Sequence, residues 1–525
     1  MAAIRVDMFE VQLGAAMLLQ FEQDGDTVRV LADAGVKASG YAATHVRDKV
    51  KPILGGDAHI DLIIGTHYDE DHLSGLVPII ADPTISIGEA WMPPIVNDTQ
   101  IFPIDQPLTA SNLLTMQLAG EQRCDILDAY LAAKRTDIEM IAAIERELDP
   151  EFQFKERSDD QFLATRRENG ANLVDHNPDD LAFFRAQFGA DDKDACTIDH
   201  GSEQEIEAHP LVATMVDDAM QSRFFYYPFG VQPYLDRIKG LAEEARTDAA
   251  YLIKPRMLSL ANLRKSAAKD AINAKSLHDV LDALAKRKIP VRSEIIEDGA
   301  PKRYRWTPAS RRFVLARPDS QGLTFTLLGP SRTLVNKHRV KLPVLEAARI
   351  ALAFTGEIRS ITASNQLSYI GCFNYCDQAI LVSGDAGCVD FRPVGGKYFP
   401  DLLKAMQPLH IVQVAHHGGN NAHFYRVLAA AGYPEQEEQS YMLLSHATHD
   451  KTRPSEVFHN FLLTTLREAD DIRLLFTSQP TRDRVVDFLG AIHPVVGPSG
   501  TKGDIRLEFE DHWQVVAHAV AAPAA

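Results

Sequence analysis

The sequence has no run of roughly 18 apolar residues, so it holds no segment expected to cross a bilayer as a helix. Its opening stretch, Met1 to Gly14, has no basic segment followed by a long apolar one, so no secretory signal is expected there. Cysteines are scarce and odd in number, five in 525 residues (Cys124, Cys196, Cys372, Cys376 and Cys388). That argues against a disulfide framework and for a reducing compartment, so a cytoplasmic location is expected. Cys372 and Cys376 lie four apart with no second pair to complete a zinc site, and they are expected to be buried thiols. Basic residues are outnumbered by acidic ones, 54 to 72, for a net charge of −18. A chain coated in basic surface for nonspecific duplex binding is therefore excluded, though a local basic groove is not. There is no repeat period and no low-complexity tract. What is present is ordinary: 45% hydrophobic and 24% charged residues, the balance of a soluble globular protein. The length suits one large domain with insertions, or two to three domains.

One stretch stands out, Asp61 to Gly75, which reads DLIIGTHYDEDHLSG. Asp61 to Ile64 is a short apolar, β-branched run expected to be a buried strand. His67, Asp69, Asp71 and His72 then crowd together, and a helix is expected from Leu73. Solvated loop acids are the common meaning of a D-x-D. Two histidines at this spacing directly after a buried strand point instead to metal ligands, because bare charges there are costly to bury and a divalent cation relieves that cost.

The other segments fall into a simple order. Residues 4–35 predict two or three strands, the last ending in Asp33-Ala34-Gly35. A helix is expected over Tyr41 to Leu54, and a strand over Thr84 to Met92. Ser276 to Val291 reads as an amphipathic helix running into a strand, followed by strands at Tyr304–Trp306, Phe313–Ala316 and Thr324–Gly329. Further apolar strands end in Gly384-Asp385 and in His416-His417-Gly418. Two more follow at Tyr441–Ser445 and Ile472–Thr477, before a hairpin over Gly503 to His518. Between Asn97 and Asn273 the pattern is largely helical and in part acidic. Its aromatic run Arg223 to Phe229 suits a core or docking face, or a platform on which bases stack.

The ligand stretch resembles the HxHxDH signature of the metallo-β-lactamase superfamily, with Asp69 in place of the second histidine. This variant, THxDxDHxxG, looks most like the branch containing the soluble nuclease domain of ComEC-type DNA-uptake proteins. The D-x-G ending, the Gly384-Asp385 and His416-His417-Gly418 steps and the Asn365/Ser368 segment occur in that branch's order. Ala15 departs from it, standing where the family has an aspartate. The resemblance implies an α/β fold, an αββα sandwich with a large, mostly helical insertion. The catalytic domain would span 1–96 and 275–520, the insertion 97–274, with a smaller insertion at 331–360. It also implies a dinuclear metallohydrolase in which a metal-activated water attacks the substrate, Asp71 and Asp385 being the catalytic carboxylates. Asp385 would bridge; His67 and Asp69 would hold one ion. Asp71, His72 and one histidine of the His416-His417 pair would hold the other, with His416 favoured by its place directly after the strand. Oxygen-rich ligation shifts the preference toward manganese, with zinc close and magnesium allowed.

Further candidates for metal or substrate are His417, Asn365, Ser368, His446, His449, Lys451 and Arg453. Arg453 stands where the ComEC branch carries a histidine before a proline. The segment 254–341 holds 20 Lys/Arg against 7 Asp/Glu. Within it Arg287, Lys302, Arg303, Arg305, Arg311 and Arg312, interleaved with Tyr304 and Trp306, form a candidate nucleic-acid contact, or else a solvated face paired with acidic segments. The leading expectation is a phosphodiesterase or nuclease acting on DNA or RNA. The rivals are a small-molecule hydrolase (lactonase, thioesterase or cyclic-nucleotide phosphodiesterase) with the insertion as lid, and an idle scaffold that binds a protein partner or itself through the insertion.

Overall fold

A computed structural model of the chain describes residues 3–94, 271–338, 363–478 and 503–518, apart from short gaps at 13, 36–40, 318–319, 394–395, 420, 435–439, 448–452 and 466–471. Between 95 and 270 it describes only a few positions, at 124–139 and 268. The aromatic run at 223–229, most of 97–274 and 331–360, and the candidates His449 and Lys451 lie outside the described residues.

Sixteen strands are described, in two eight-stranded sheets. The first has the order β16-β15-β1-β2-β3-β4-β5-β6. Its members are β1 (Ile4–Met8), β2 (Ala16–Gln23), β3 (Asp26–Ala34), β4 (His59–Ile64), β5 (Ser86–Trp91), β6 (Val291–Arg292), β15 (Ile505–Phe509) and β16 (Trp513–His518). The second runs β14-β13-β12-β11-β10-β9-β7-β8. It comprises β7 (Lys302–Thr307), β8 (Arg312–Leu315), β9 (Thr324–Gly329), β10 (Ile370–Tyr375), β11 (Gln378–Val382), β12 (Ile411–Gln413), β13 (Ser440–Leu444) and β14 (Ile472–Phe476). Helices are α1 (His45–Leu54), α2 (Glu70–Leu73), α3 (Leu76–Ala81), α4 (271–286), α5 (Arg332–His338), α6 (Ala363–Gln366), α7 (Pro400–Lys404), α8 (Ala422–Ala430) and α9 (Glu456–Thr465). The expected strands and helices outside the masked segments are all present, within a few residues of their expected ends. Among the described residues no helix is long and apolar enough to cross a membrane.

Side-chain alternation explains how the sheets pack. Along β2, Met17, Leu19 and Phe21 enter one core cluster while Ala16 and Leu18 enter another. Successive strand residues point to opposite faces, so this sheet is apolar on both. One face meets the second sheet: Phe21 stacks near Phe373 with centroids 5.9 Å apart, and Trp91 meets Tyr304 edge-on at 4.7 Å. The other face is covered by α1, α3 and α4 through Val46, Val50, Ile79, Ile80, Leu277 and Leu284.

Strands β3, β4 and β5 pair in parallel, as do β11 to β14. Parallel neighbours need crossovers, here supplied by helices. In such sheets the carboxyl ends of the strands collect the loops that bind ligands. Asp33, His67, Asp385 and His416 each lie at or just past such an end, on β3, β4, β11 and β12. At the far side of the first sheet β1 pairs with β15, Ile4 opposite Phe509.

Candidate metal centre

The ligand loop after β4 is pinned by close backbone contact. A Cβ on Gly35 would lie 1.8 Å from the carbonyl carbon and oxygen of Asp71, and one on Gly14 would lie 2.4 Å from that oxygen. The Ala15 amide donates to the same oxygen at 3.2 Å. The glycine of the D-x-G ending is thus the place where the Asp71 backbone passes over β3. Gly384, at φ +51°, brings β11's end against Thr66, whose Oγ1 would lie 2.3 Å from a Cβ there. Asp385 follows and enters the same space.

Four imidazoles converge on the Asp385 carboxylate. Oδ2 lies 3.6 Å from His67 Nε2 and 3.9 Å from His416 Nε2. Oδ1 lies 3.3 Å from His72 Nε2 and 3.9 Å from His417 Nε2. His417 Nε2 is also 4.0 Å from Asp71 Oδ2. Two overlapping groups have their ligand atoms within 4.8 Å of one another: His67, His72 and Asp385; and Asp71, His72 and His417. The geometry therefore puts His417, rather than His416, with Asp71 and His72. Both histidines have left-handed backbone, φ 53° at each. That conformation is uncommon for non-glycine residues and concentrates at functional sites. It turns the chain sharply enough that both rings enter the centre, and position along the chain alone does not decide between them.

Hydrogen bonds fix which ring nitrogens face inward. His72 Nδ1 donates to Asp33 Oδ2 at 2.8 Å. The Thr66 hydroxyl donates to the same Oδ2 at 2.6 Å, so its oxygen is left to accept from His67 Nδ1 at 3.1 Å. His67, neutral and protonated at Nδ1, then presents a bare Nε2 lone pair to the centre, and His72 does the same once its Nε2 proton is displaced. The Nε2 atoms of His67, His72 and His417, and Asp385 Oδ1, are buried without a hydrogen-bond partner. The short His72–Asp385 approach is close but misaligned for one. Orphaned buried polar atoms cost about 1–3 kcal/mol each, and four facing one another form a group that could hold a metal ion. A carboxylate-oriented histidine is the usual support of such a set.

Charge behaves accordingly. Burial pushes His67 down to about 3, His72 beside it adding to the effect, and burial pushes His417 down to about 4. Burial opposes charge on His72 too, but Asp385 and Asp33 on either side outweigh it and hold its pKa well above the imidazole range. Burial would raise Asp385, yet the surrounding imidazoles keep it well below the carboxylate range.

The remaining candidates fall around this core. Asp69 is buried, and its Oδ1 accepts from Asn273 Nδ2 at 2.7 Å. Asn365 Nδ2 reaches Asp385 Oδ2 at 3.5 Å, and Ser368 is buried just beyond, its amide donating to the Asn365 carbonyl at 3.1 Å. His416 takes a different part. Asn421 donates through Nδ2 to the carbonyls of Asp385 and Ala386, each at 3.2 Å, so its Oδ1 accepts from His416 Nδ1 at 3.1 Å. His416 Nε2 then accepts from the Arg453 guanidinium at 3.0 Å. His446 lies beneath, bonded through Nε2 to the Arg453 carbonyl at 2.9 Å.

The basic candidates are placed elsewhere. Arg287 donates to the carbonyls of Ile80, Asp82 and Ile85 at 2.8 to 2.9 Å, closing the end of α3. Arg311 binds Asp26, Asp61 and the Thr27 carbonyl, each at 3.1 Å. Lys302 faces Glu294 at 3.5 Å, and Arg312 is half-buried. Arg303 and Arg305 are exposed. Tyr304 and Trp306 are not on that surface: both are buried between the sheets. The alternation of β7 separates them from the arginines, one set inward and the other outward. Cys376 is a second correction. It is exposed in the turn between β10 and β11, at φ 50°, whereas Cys372 is buried.

Asp33, Thr66, Asn273 and Asn421 support the centre without having been candidates. Asp33 alone left a local signal, the D-x-G at its strand end. No known family model matches the chain, and no curated protein is significantly similar to it.

Proposed function

We propose that the chain is a metal-dependent hydrolase, a phosphodiesterase built on the αββα sandwich of the metallo-β-lactamase superfamily, with 97–274 as an insertion in its catalytic domain. One observation carries this reading: buried Nε2 atoms from three histidines without hydrogen-bond partners, and a carboxylate with an oxygen toward each half of the site, all beside the carboxyl ends of parallel strands. The donors fit divalent cations. His72, His417, Asp71 and Asp385 would hold one ion, and His67 and Asp385 the other, joined by Asp69 on the strength of the resemblance, since Asp69 falls in neither geometric group. Nitrogen and oxygen donors in this ratio suit manganese or zinc, with magnesium less favoured. Such ions supply Lewis acidity and lower the pKa of water at neutral pH. The chain's own part is to orient the imidazoles through Asp33 and Thr66. It also keeps the donors buried and sets the Arg453 guanidinium against His416 at the edge of the centre, where positive charge favours an anionic substrate.

The substrate class is a phosphodiester, with DNA or RNA as the leading form. A small diester is the second reading. It is favoured by the fact that Arg287 and Arg311 are committed to internal partners and that Tyr304 and Trp306 are core residues. The test is cleavage of single-stranded DNA, duplex DNA, RNA and bis(p-nitrophenyl) phosphate by purified protein with manganese, zinc or magnesium, beside an Asp71→Ala/His72→Ala control. Metal-dependent cleavage of polymer that vanishes in the control supports the nuclease. Cleavage of the small diester alone supports the second reading. Failure to take up metal would remove the hydrolase reading altogether.

A further inference from the structure

We infer that Asn273 is a positioning residue of the metal centre, and that metal retention on the His67/Asp69 side depends on the seating of α4. This rests on the metal-centre reading above and goes beyond it, because Asn273 belongs to no recognised motif and lies 204 positions from its partner.

The observation is a buried polar residue in an apolar stripe. Leu277, Val280, Leu281 and Leu284 of α4 pack into the cluster that also holds Leu73, Leu76 and Ile80 of the ligand loop and α3. Asn273 sits one turn before Leu277 and is 2% exposed. An amide in such a place is destabilising unless it is hydrogen-bonded. Its Nδ2 donates to Asp69 Oδ1 at 2.7 Å, and Asp69 is itself 4% exposed.

The chemistry explains why an amide stands there. A carboxylate turns more freely about its last bond than an imidazole held at Nδ1, so a carboxylate ligand needs an outside partner to keep its orientation. A lysine or arginine would provide one but would also neutralise Asp69 and weaken its hold on a cation. An asparagine fixes the direction and leaves the charge. The same hydrogen bond ties the ligand loop to α4, the helix by which the chain returns from the 95–270 segment. Displacing α4 would therefore release Asp69, while His72 would keep its hydrogen bond to Asp33 on β3.

The experiment uses the full-length protein loaded with cobalt(II), comparing wild type with Asn273→Ala and Asn273→Leu, each alone and with Asp69→Ala. Readouts are ion stoichiometry by mass spectrometry, affinities by chelator competition, the visible cobalt absorption and the melting temperature. Losing an orienting partner typically weakens binding about 10–100-fold. The single variants should hold one ion as wild type does and the other about that much more weakly, with an altered visible band. Leucine should restore the packing volume that alanine loses, and so melt above the alanine variant, but not the weakened affinity, which separates positioning from simple support. In the Asp69→Ala background, Asn273→Ala should have no further effect on affinity. Unchanged affinities and spectrum in both single variants would overturn the inference while leaving the hydrolase reading intact. A full additional loss in the Asp69→Ala background would also overturn it, since Asn273 would then act elsewhere. Wild-type protein that takes up no cobalt would sink both.

Discussion

The two ends of β4 each lead to a buried aspartate, Asp61 beside the half-buried His59 and Asp385 beside the buried His67 and His72, and the two carboxylates are treated in opposite ways. At the start of the strand, Asp61 is fully enclosed and satisfied. Oδ1 accepts from Trp306 Nε1 at 3.2 Å; Oδ2 accepts from the Arg29 amide at 2.9 Å and from Arg311 at 3.1 Å. Burial opposes its charge, but these donors and His59 hold its pKa below the carboxylate range. At the other end, the Nε2 atoms of His67, His72 and His417 and Oδ1 of Asp385 face one another without hydrogen bonds. One cluster contains its own counter-ion, so it ties the two sheets together. The other leaves its inward-facing atoms without partners from the protein, and on the proposed function a cation would complete it. A buried charge by itself says nothing of function; whether its partners are already present does.

Crossing the two clusters gives the largest expected effects. Asp385→Ala should weaken divalent-ion binding by more than about 100-fold, beyond what an orienting partner carries, with the fold retained by circular dichroism. Asp61→Ala should lower unfolding stability by about 3–5 kcal/mol, the usual consequence of stripping one member from a buried pair, while each folded molecule keeps its full metal content. Asp61→Ala protein that folds normally but loses metal would erase the contrast. Next comes the histidine pair. His417→Ala should lose one ion from the stoichiometry, whereas His416→Ala should keep both, because His416 Nε2 is engaged by Arg453. Equal losses would mean that His416 also ligates.

Acid should separate the ends by pH window. His67 and His417 are held at about 3 and about 4, below the ordinary imidazole value of 6.5. Between those values the unfolded chain binds more protons than the folded one, so stability falls as pH is lowered. The slope is on the order of 1.4 kcal/mol per pH unit for each group. The raised pKa of His72 acts only above 6.5, where its contribution is lost as pH rises. Asp61, whose pKa is depressed, contributes stability that disappears only as pH drops below the usual carboxylate range. Metal-free protein should therefore lose melting temperature from pH 6.5 downward, and His417→Ala should flatten that slope while Asp61→Ala leaves it in place. The smallest effect belongs to Asp33→Asn. It should weaken metal binding about 10–100-fold by loosening His72, with little change in ion number, as chelator competition would read.

Much of the fold could be read from short-range pattern. Strands such as β4, β11 and β13 are continuous apolar runs because both faces are covered, and such runs announce themselves. The buried histidine and aspartate cluster was partly legible, since three of its members, His67, Asp71 and His72, sit within six residues. What was missed is set by contacts distant in sequence or by local backbone. Asn273 is an unremarkable helix residue until α4 docks against the loop. The choice between His416 and His417 turns on two successive left-handed residues, a conformation that side-chain types do not announce. Arg287 and Arg311 looked available because charge was counted without knowing which carbonyls and carboxylates lie beneath. Tyr304 and Trp306 carried a signal that was there to use: an every-other-residue alternation with arginine is that of a strand with one face inward.

The pairing of β1 with β15 has a consequence for the making of the protein. The Glu10 amide reaches Asp504 across 494 positions of sequence, and the β1–β15 ladder spans a similar interval. On the ribosome β2 emerges almost at once to cover one side of β1, while the strand that covers the other emerges only after the second sheet has been made. Throughout that time β1 offers a row of unpaired amides and carbonyls along the border of an apolar sheet, the kind of border that recruits other chains. The hairpin of β15 and β16 acts as a late seal on the nascent molecule. Chains interrupted before residue 505 should reach the cell's quality-control machinery with their first sheet assembled and its border open.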